Sequence, residues 1–122
     1  MDIQKFWAVV LNQNTNAIRA FFAPTAYVNW HNTNEHFTVD EFIRANCEYP
    51  GEWTGEVEKE IQAGDTIITA THVATVDGRL SFHATSFIQV KDGKIAAVDE
   101  YWGEDGEAPK WRQDMHIGSK IK

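Results

Sequence analysis

Residues 66–102 decide the fold, and they read TIITATHVATVDGRLSFHATSFIQVKDGKIAAVDEYW. Apolar and polar side chains alternate along most of this stretch, and a period of two is typical of β-strands. Asp77-Gly78 and Asp92-Gly93 divide the stretch, and Asp-Gly pairs favour tight hairpin turns. The same pattern begins earlier, at Trp53, and is interrupted by Ala63-Gly64-Asp65. We therefore predict an antiparallel meander of three long strands and part of a fourth.

The alternation also predicts which side chains face the core, because neighbours along a strand point to opposite sides of a sheet. In the strand over residues 80–90, the more apolar set is Leu80, Phe82, Ala84, Ser86, Ile88 and Val90. The set predicted to face outward is Ser81, His83, Thr85, Phe87 and Gln89.

In the preceding strand, the more apolar set is Ile68, Ala70, His72, Ala74 and Val76. The set predicted to face outward is Thr69, Thr71, Val73 and Thr75. His72 is therefore expected to point toward the core.

Helices are predicted before the meander. Residues 3–12 place apolar side chains at helical spacing, and Asp2 stands where an N-cap is needed. A second, shorter helix must end before Pro24. Residues 26–30 are predicted to form a strand, which a polar run then turns back.

A third helix has the strongest local signal. Thr38 is suited to cap it, and Glu41 completes a capping box. Phe37 before the cap and Phe42 in the first turn form a hydrophobic staple. We expect the helix to end at Tyr49-Pro50-Gly51.

Helices followed by hairpin-linked strands indicate an α+β fold in which helices cover one face of the sheet. The chain has 122 residues, the size of a typical domain. We therefore predict a single domain over residues 1–122.

The composition excludes several classes of function. The formal net charge of −7 repels phosphate backbones, so nucleic acid is not an expected partner. No apolar run approaches the roughly 20 residues of a membrane span, and the N-terminal segment is too polar for a signal peptide. Cys47 is the only cysteine, which excludes an intrachain disulfide and fits a reducing compartment. We expect a cytoplasmic protein, not bound to a membrane, in which Cys47 packs as a small hydrophobe.

Hydropathy does not assign the faces of the last strand, because both alternating sets are largely apolar. The segments Asp92-Gly93-Lys94-Ile95 and Glu100-Tyr101-Trp102-Gly103, preceded by helices from Phe6 to Phe22, resemble SnoaL-like proteins of the NTF2-like superfamily. The resemblance spans nearly the whole chain. It implies a cone, in which a curved, mostly antiparallel sheet wraps around three N-terminal helices. By the same resemblance, to ketosteroid isomerases in particular, Val98, Glu100 and Trp102 face inward.

These assignments bring four tryptophans together with a few polar side chains. The predicted ligand-binding residues are Trp7, Trp30, Trp53, Trp102, Ser86 and Val98. Glu100 is the predicted catalytic acid or base, because apolar surroundings raise the pKa of a carboxyl group. His72 is its predicted catalytic partner. Two alternatives stay open, in which the tryptophans are only core or the two polar side chains merely satisfy each other.

No catalytic set of the superfamily is present intact. The catalytic tyrosine and two aspartates of ketosteroid isomerases correspond to Trp7, Trp30 and Ser86, none of which can transfer the required proton. One histidine of scytalone dehydratases falls near His72, but the other falls near Ser86. The Asp-Arg-Asp relay of limonene-epoxide hydrolases cannot be assembled from the arginines present. The resemblance thus predicts a fold more strongly than a reaction.

We predict no metal site and no cofactor. His31, Glu35 and His36 are close in sequence, but their spacing matches no established metal site. The acidic, glycine-containing residues 103–107 lack the following helix and the lysine that a phosphate-binding loop requires.

The outward-facing residues of the meander predict a flat sheet surface with few charges. Such a surface is unusual on a monomer, so we expect a homodimer through this outer sheet face. Trp111 and Arg112 could extend over the pocket mouth or across the dimer.

The leading hypothesis is a protein that binds a small, largely apolar or aromatic organic molecule and catalyses proton transfer, as in isomerisation, cyclisation or dehydration. The alternatives are a non-catalytic ligand-binding or protein-interaction module, and a protein whose cone is closed.

Overall fold

The computed structural model describes residues 1–122 and contains the three predicted N-terminal helices. They span Ile3–Leu11 (α1), Thr15–Phe21 (α2) and Val39–Cys47 (α3). Asp2 caps α1 as expected, and Thr38 and Glu41 form the predicted capping box of α3. No helix is long and apolar enough to cross a membrane.

One curved sheet of six strands follows the order β2-β1-β6-β5-β4-β3. The strands span Phe22–Trp30 (β1), Glu35–Thr38 (β2), Trp53–Ala63 (β3), Thr66–Thr75 (β4), Ser81–Lys91 (β5) and Lys94–Glu104 (β6). Only β1 and β6 run parallel. The edge strands β2 and β3 do not pair with each other, so the sheet stays open. The predicted α+β fold class is confirmed, and a short helix at Lys110–Asp114 (α4) adds to it.

Strand β1 begins at Phe22 rather than at the predicted residue 26. Its register against β6 shifts between Phe22 and Tyr27, and Pro24 lies within this irregular stretch. Proline has no N–H to donate, so it is tolerated where the ladder is interrupted.

The two Asp-Gly dipeptides form different connections. Asp92 and Gly93 have φ values of 52° and 75°, as the predicted two-residue hairpin of type I′ requires. Asp77 and Gly78 lie in a longer loop over residues 76–80, in which the Thr75 side chain accepts a hydrogen bond from the Leu80 amide at 3.0 Å.

The core lies between the helices and the inner face of the sheet. Ile18 of α2, Ile88 of β5 and Ile95 of β6 are completely buried there. The register shifts in β3 between Val57 and Lys59, and in β6 beside Ile95. Such bulges bend a strand, which helps the sheet to curve over the helices.

The predicted faces of β5 agree with the structure, but those of β4 are reversed. The buried residues of β4 are Ile67, Thr69, Thr71, Val73 and Thr75. His72 lies opposite His83 on the outer face, and opposed residues of an antiparallel pair share a face. Hydropathy misleads here because threonine is buried readily when its hydroxyl group finds a partner, as those of Thr69 and Thr75 do and that of Thr71 does not. Thr69 shows this, since its Oγ1 accepts a hydrogen bond from Trp7 Nε1 at 3.2 Å.

Candidate functional site

A cavity of about 380 Å³ lies between the inner face of the sheet and helices α1 and α3. Fifteen of its 19 lining residues are hydrophobic. The aromatic ones are Phe6, Trp7, Phe22, Trp30, Phe42, Tyr49, Trp53, Phe82 and Trp102. The four polar ones are Asn32, Thr33, Asn46 and Glu100. Glu100 supplies the only carboxyl group of the lining, and the phenol of Tyr49 is the only other titratable group. An apolar cavity with a few converging polar groups is typical of a small-molecule site.

The carboxyl group of Glu100 is held by a row of residues that crosses the sheet. Trp30 on β1 and Ser86 on β5 flank Glu100 directly in the strand register. Trp30 Nε1 donates a hydrogen bond to Oε1 at 3.0 Å, and Ser86 Oγ donates one to Oε2 at 2.6 Å. Thr69 lies opposite Ser86 on β4 and accepts the indole hydrogen bond of Trp7. The orientation of the carboxyl group is therefore set by strand pairing.

Glu100 is only 4% exposed and takes part in no ion pair. Desolvation raises its pKa above the usual value for glutamate, and the hydrogen bonds from Ser86 and Trp30 oppose this effect without cancelling it. A carboxyl group with a raised pKa takes up and releases its proton closer to neutral pH, as a general acid or base must.

Trp102 adds an unpartnered donor beside this carboxyl group. It is near enough to Glu100 to favour the charged form, yet its buried Nε1 makes no hydrogen bond of its own. Asn32 fixes the Trp102 backbone, because Asn32 Oδ1 accepts a hydrogen bond from the Trp102 amide at 2.6 Å and Nδ2 donates to the Trp102 carbonyl. The exposed lining residues Asn32, Thr33 and Tyr49 mark the mouth of the cavity.

The structure brings most of the predicted site residues together. The four tryptophans and Val98 line the cavity with Glu100. Ser86 is completely buried and does not line the cavity, so we expect it to act through Glu100 instead of touching a ligand. The roles of these residues in binding and catalysis stay predictions.

His72 lies elsewhere, and the prediction that it shares the cavity with Glu100 is wrong. Its side chain is on the outer face, where its ring stacks on His83 at a centroid distance of 5.0 Å. Its Nε2 is 3.6 Å from a carboxylate oxygen of Asp105. The cause is the reversed parity of β4. We therefore do not retain His72 as the catalytic partner of Glu100.

Sequence reasoning missed residues at the mouth. Tyr49 was predicted only as the end of a helix, and Asn32 only as part of a turn, although both line the cavity. No sequence motif indicates that either residue lines a cavity. Trp111 and Arg112, by contrast, do not line the cavity, and both are exposed on α4.

The family model for the SnoaL-like domain matches residues 3–98 of this sequence. The chain belongs to the SnoaL-like family. The match includes Trp7, Trp30 and Trp53 but ends before Glu100, so it covers most of the SnoaL-like cavity without its carboxyl group. No curated protein matches this SnoaL-like chain.

Solved structures confirm the NTF2-like fold of this SnoaL-like protein. A proposed ketosteroid isomerase from Kribbella flavida has a TM-score of 0.79 at 22% identity, covering 98% of this chain and 87% of that chain. An NTF2-like protein of unknown function from Burkholderia xenovorans has a TM-score of 0.78 at 17% identity, with coverages of 98% and 92%. An LEH-like epoxide hydrolase from M. tuberculosis has a TM-score of 0.69 at 14% identity, with coverages of 83% and 79%. At these identities the likeness establishes the fold alone.

Proposed function

We propose that this SnoaL-like protein binds a small, largely apolar or aromatic organic molecule in the cavity. Glu100 takes a proton from this molecule and returns it at another position. The observation that carries the proposal is a buried carboxyl group, oriented by Trp30 and Ser86, in an otherwise uncharged aromatic cavity. Folds shared with a proposed isomerase and an epoxide hydrolase make small-molecule chemistry a reasonable expectation.

Apart from the phenol of Tyr49 at the mouth, Glu100 carries the only titratable group of the lining, and the absence of histidine, lysine and a second carboxyl group narrows the reaction type. Isomerisation by a proton shift needs one base, which takes a proton from one carbon and returns it to another. An aldol-type cyclisation also needs one, because the proton removed from carbon can be returned to the new alkoxide. Hydrolysis needs further groups to position and activate water. We therefore favour isomerisation or cyclisation, with the unpartnered Trp102 Nε1 available to stabilise a developing oxyanion.

The proton-transfer step can be tested with 2-tetralone, a small aromatic ketone with acidic hydrogens beside its carbonyl group. We expect the protein to accelerate exchange of these hydrogens in D₂O, followed by NMR. Glu100→Gln should slow the exchange by about 100-fold or more, since it removes the base. His72→Asn is the matched control and should have no effect. Equal rates for Glu100→Gln and the unchanged protein would count against catalysis by Glu100.

A non-catalytic ligand-binding role is the second candidate. It is favoured because no histidine, lysine or second carboxyl group lines the cavity to exchange a proton with Glu100. Binding of small aromatic molecules detected by native mass spectrometry, together with no exchange above that of Glu100→Gln, would support this role over the enzymatic one.

We further propose a homodimer through the outer sheet face and a cytoplasmic location. Exposed aromatic side chains on that face, Phe87 and Tyr101 in particular, support the first. The free, partly buried Cys47 fits the second, because unpaired cysteines are typical of reducing compartments.

A further inference from the structure

The cavity contains one acidic group and nothing that carries a positive charge. No lysine, arginine or histidine lines it, and Glu100 forms no ion pair. A buried carboxylate without a counter-charge is costly, so either it is held as the neutral acid or its positive partner arrives from outside.

The hydrogen bonds that the carboxyl group receives favour the second case, while its burial favours the first. Both of its oxygens accept hydrogen bonds, from Trp30 and from Ser86, and a carboxylate is an acceptor only. A neutral acid would also have to donate its own O–H. Ser86 Oγ can donate to the anion or accept the O–H of the neutral acid at the same 2.6 Å, whereas the Trp30 indole can only donate, so the hydrogen-bond partners accommodate the anion.

Aromatic rings line the same cavity as Glu100, and several of them pack against one another. Trp30 and Trp102 lie 6.3 Å apart, centroid to centroid, with their planes at 68°. The ring centroid of Phe82 lies 6.0 Å from that of Trp102, and the two ring planes are inclined at 83°. Steeply inclined rings present π faces on more than one side, and such faces attract cations, above all substituted ammonium groups. The net charge of −7 also attracts cations to the protein as a whole.

We propose that the cavity selects an organic cation, in which a substituted ammonium group lies against Trp30, Trp102 and Phe82 and pairs with Glu100. The apolar remainder of such a ligand occupies the rest of the cavity. This inference rests on the proposed small-molecule function of the same cavity, but not on proton transfer. Binding of the cation stabilises the carboxylate, so it releases a proton wherever Glu100 is protonated in the empty cavity.

Two ligands of nearly the same shape allow the effect of charge on Kd to be measured separately from the effect of size. Phenyltrimethylammonium is the cation, and tert-butylbenzene is its neutral counterpart. Titration at pH 8, followed by tryptophan fluorescence and calorimetry, should give at least a tenfold lower Kd for the cation. The Kd for the cation should fall further as pH rises through the pKa of Glu100, while the Kd for the neutral molecule stays constant. Calorimetry in buffers of different ionisation enthalpy should detect the released proton below that pKa.

Glu100→Gln should remove most of the preference for the cation while leaving the Kd for tert-butylbenzene within about threefold. Trp102→Phe keeps an aromatic face and should retain most of the preference, whereas Trp102→Leu should lose more of it. His72→Asn on the outer face should change neither Kd.

Tighter binding of tert-butylbenzene or 2-tetralone than of the cation overturns the inference and leaves the proposed small-molecule function intact. A cation preference that survives in Glu100→Gln also overturns it. If none of the three molecules binds, both this inference and the proposed function fail.

Discussion

Glu100 lies in the core at a thermodynamic cost. Its raised pKa means that the folded protein holds this proton more tightly than the unfolded chain does. Below the usual glutamate pKa of about 4.3 both states are protonated, and the group adds no pH dependence. As pH rises from there through the folded-state pKa, the unfolded chain loses the proton first, so the free energy of unfolding falls. Wherever the pH is high enough for the folded protein to carry a charged Glu100, that charge is therefore kept at the expense of stability.

Glu100→Gln should accordingly stabilise the empty protein at pH 8, by on the order of 1 kcal/mol for each unit by which the pKa is raised. The gain should disappear near pH 4, where the native glutamate is neutral as well. Thermal unfolding followed by circular dichroism over this pH range measures the difference. Glu104→Gln, an exposed position on the same strand, is the control and should show no such trend. A Glu100→Gln variant less stable than the native protein by the same amount at both pH values would contradict this account.

At the level of elements, the helices, the hairpin at Asp92-Gly93 and the inward face of β5 could all be predicted, because each depends on a local pattern. The face of β4 could not be read from hydropathy, since its buried threonines look polar and its half-buried, outward-facing alanines look apolar. A pairing rule would have found it. A hairpin centred on Asp77-Gly78, whatever its length, places even residues of β4 opposite odd residues of β5, as His72 lies opposite His83.

Strand β6 was ambiguous for a different reason. Ile95 pairs with Val90, while Ala97 pairs with Gln89, so Ala96 is an extra residue and the inward parity changes within the strand. Ile95 is buried before the bulge, and Val98 and Glu100 are buried after it. No single parity describes such a strand, and only the family resemblance assigned Glu100 to the interior.

Gly55 is the residue on which the pairing of β3 with β4 most depends. A Cβ atom there would lie 2.1 Å from the carbonyl oxygen of His72, far inside van der Waals contact. Gly55→Ala should therefore force the strands apart and cost at least about 2 kcal/mol, measured by urea unfolding.

The control is Gly106→Ala, where an added Cβ meets nothing within 4 Å. It should change the free energy of unfolding by less than about 0.5 kcal/mol. Equal effects at the two positions would show that the close approach at Gly55 is not required.

At the scale of the whole molecule, the outer sheet face combines aromatic and charged groups. Phe87 and Tyr101 are 38% and 47% exposed and pack against each other edge to face. Tyr101 also stacks on His31, which contacts Asp99 at 2.7 Å. The threonines of β4 that were expected here are in the core, so a dimer interface on this face would depend on these aromatic residues.

We expect the protein to be a dimer in solution and Phe87→Glu to shift it toward the monomer, because two facing copies would bury this charge. Light scattering coupled to size exclusion, over a range of concentrations, measures the shift. Val76→Glu adds the same charge at an exposed apolar residue in the β4–β5 loop and should leave the dimer unchanged. A monomeric native protein at high concentration would rule out this interface.

The place of β6 has a consequence for synthesis on the ribosome. The strand made last lies in the middle of the sheet, between β1 and β5. Until it emerges, the nascent chain has two separate groups of strands, each with an unpaired edge that can join another chain. Glu100, the acidic residue of the cavity, is thus among the last residues of the sheet to leave the ribosome, and the sheet cannot be completed before it does.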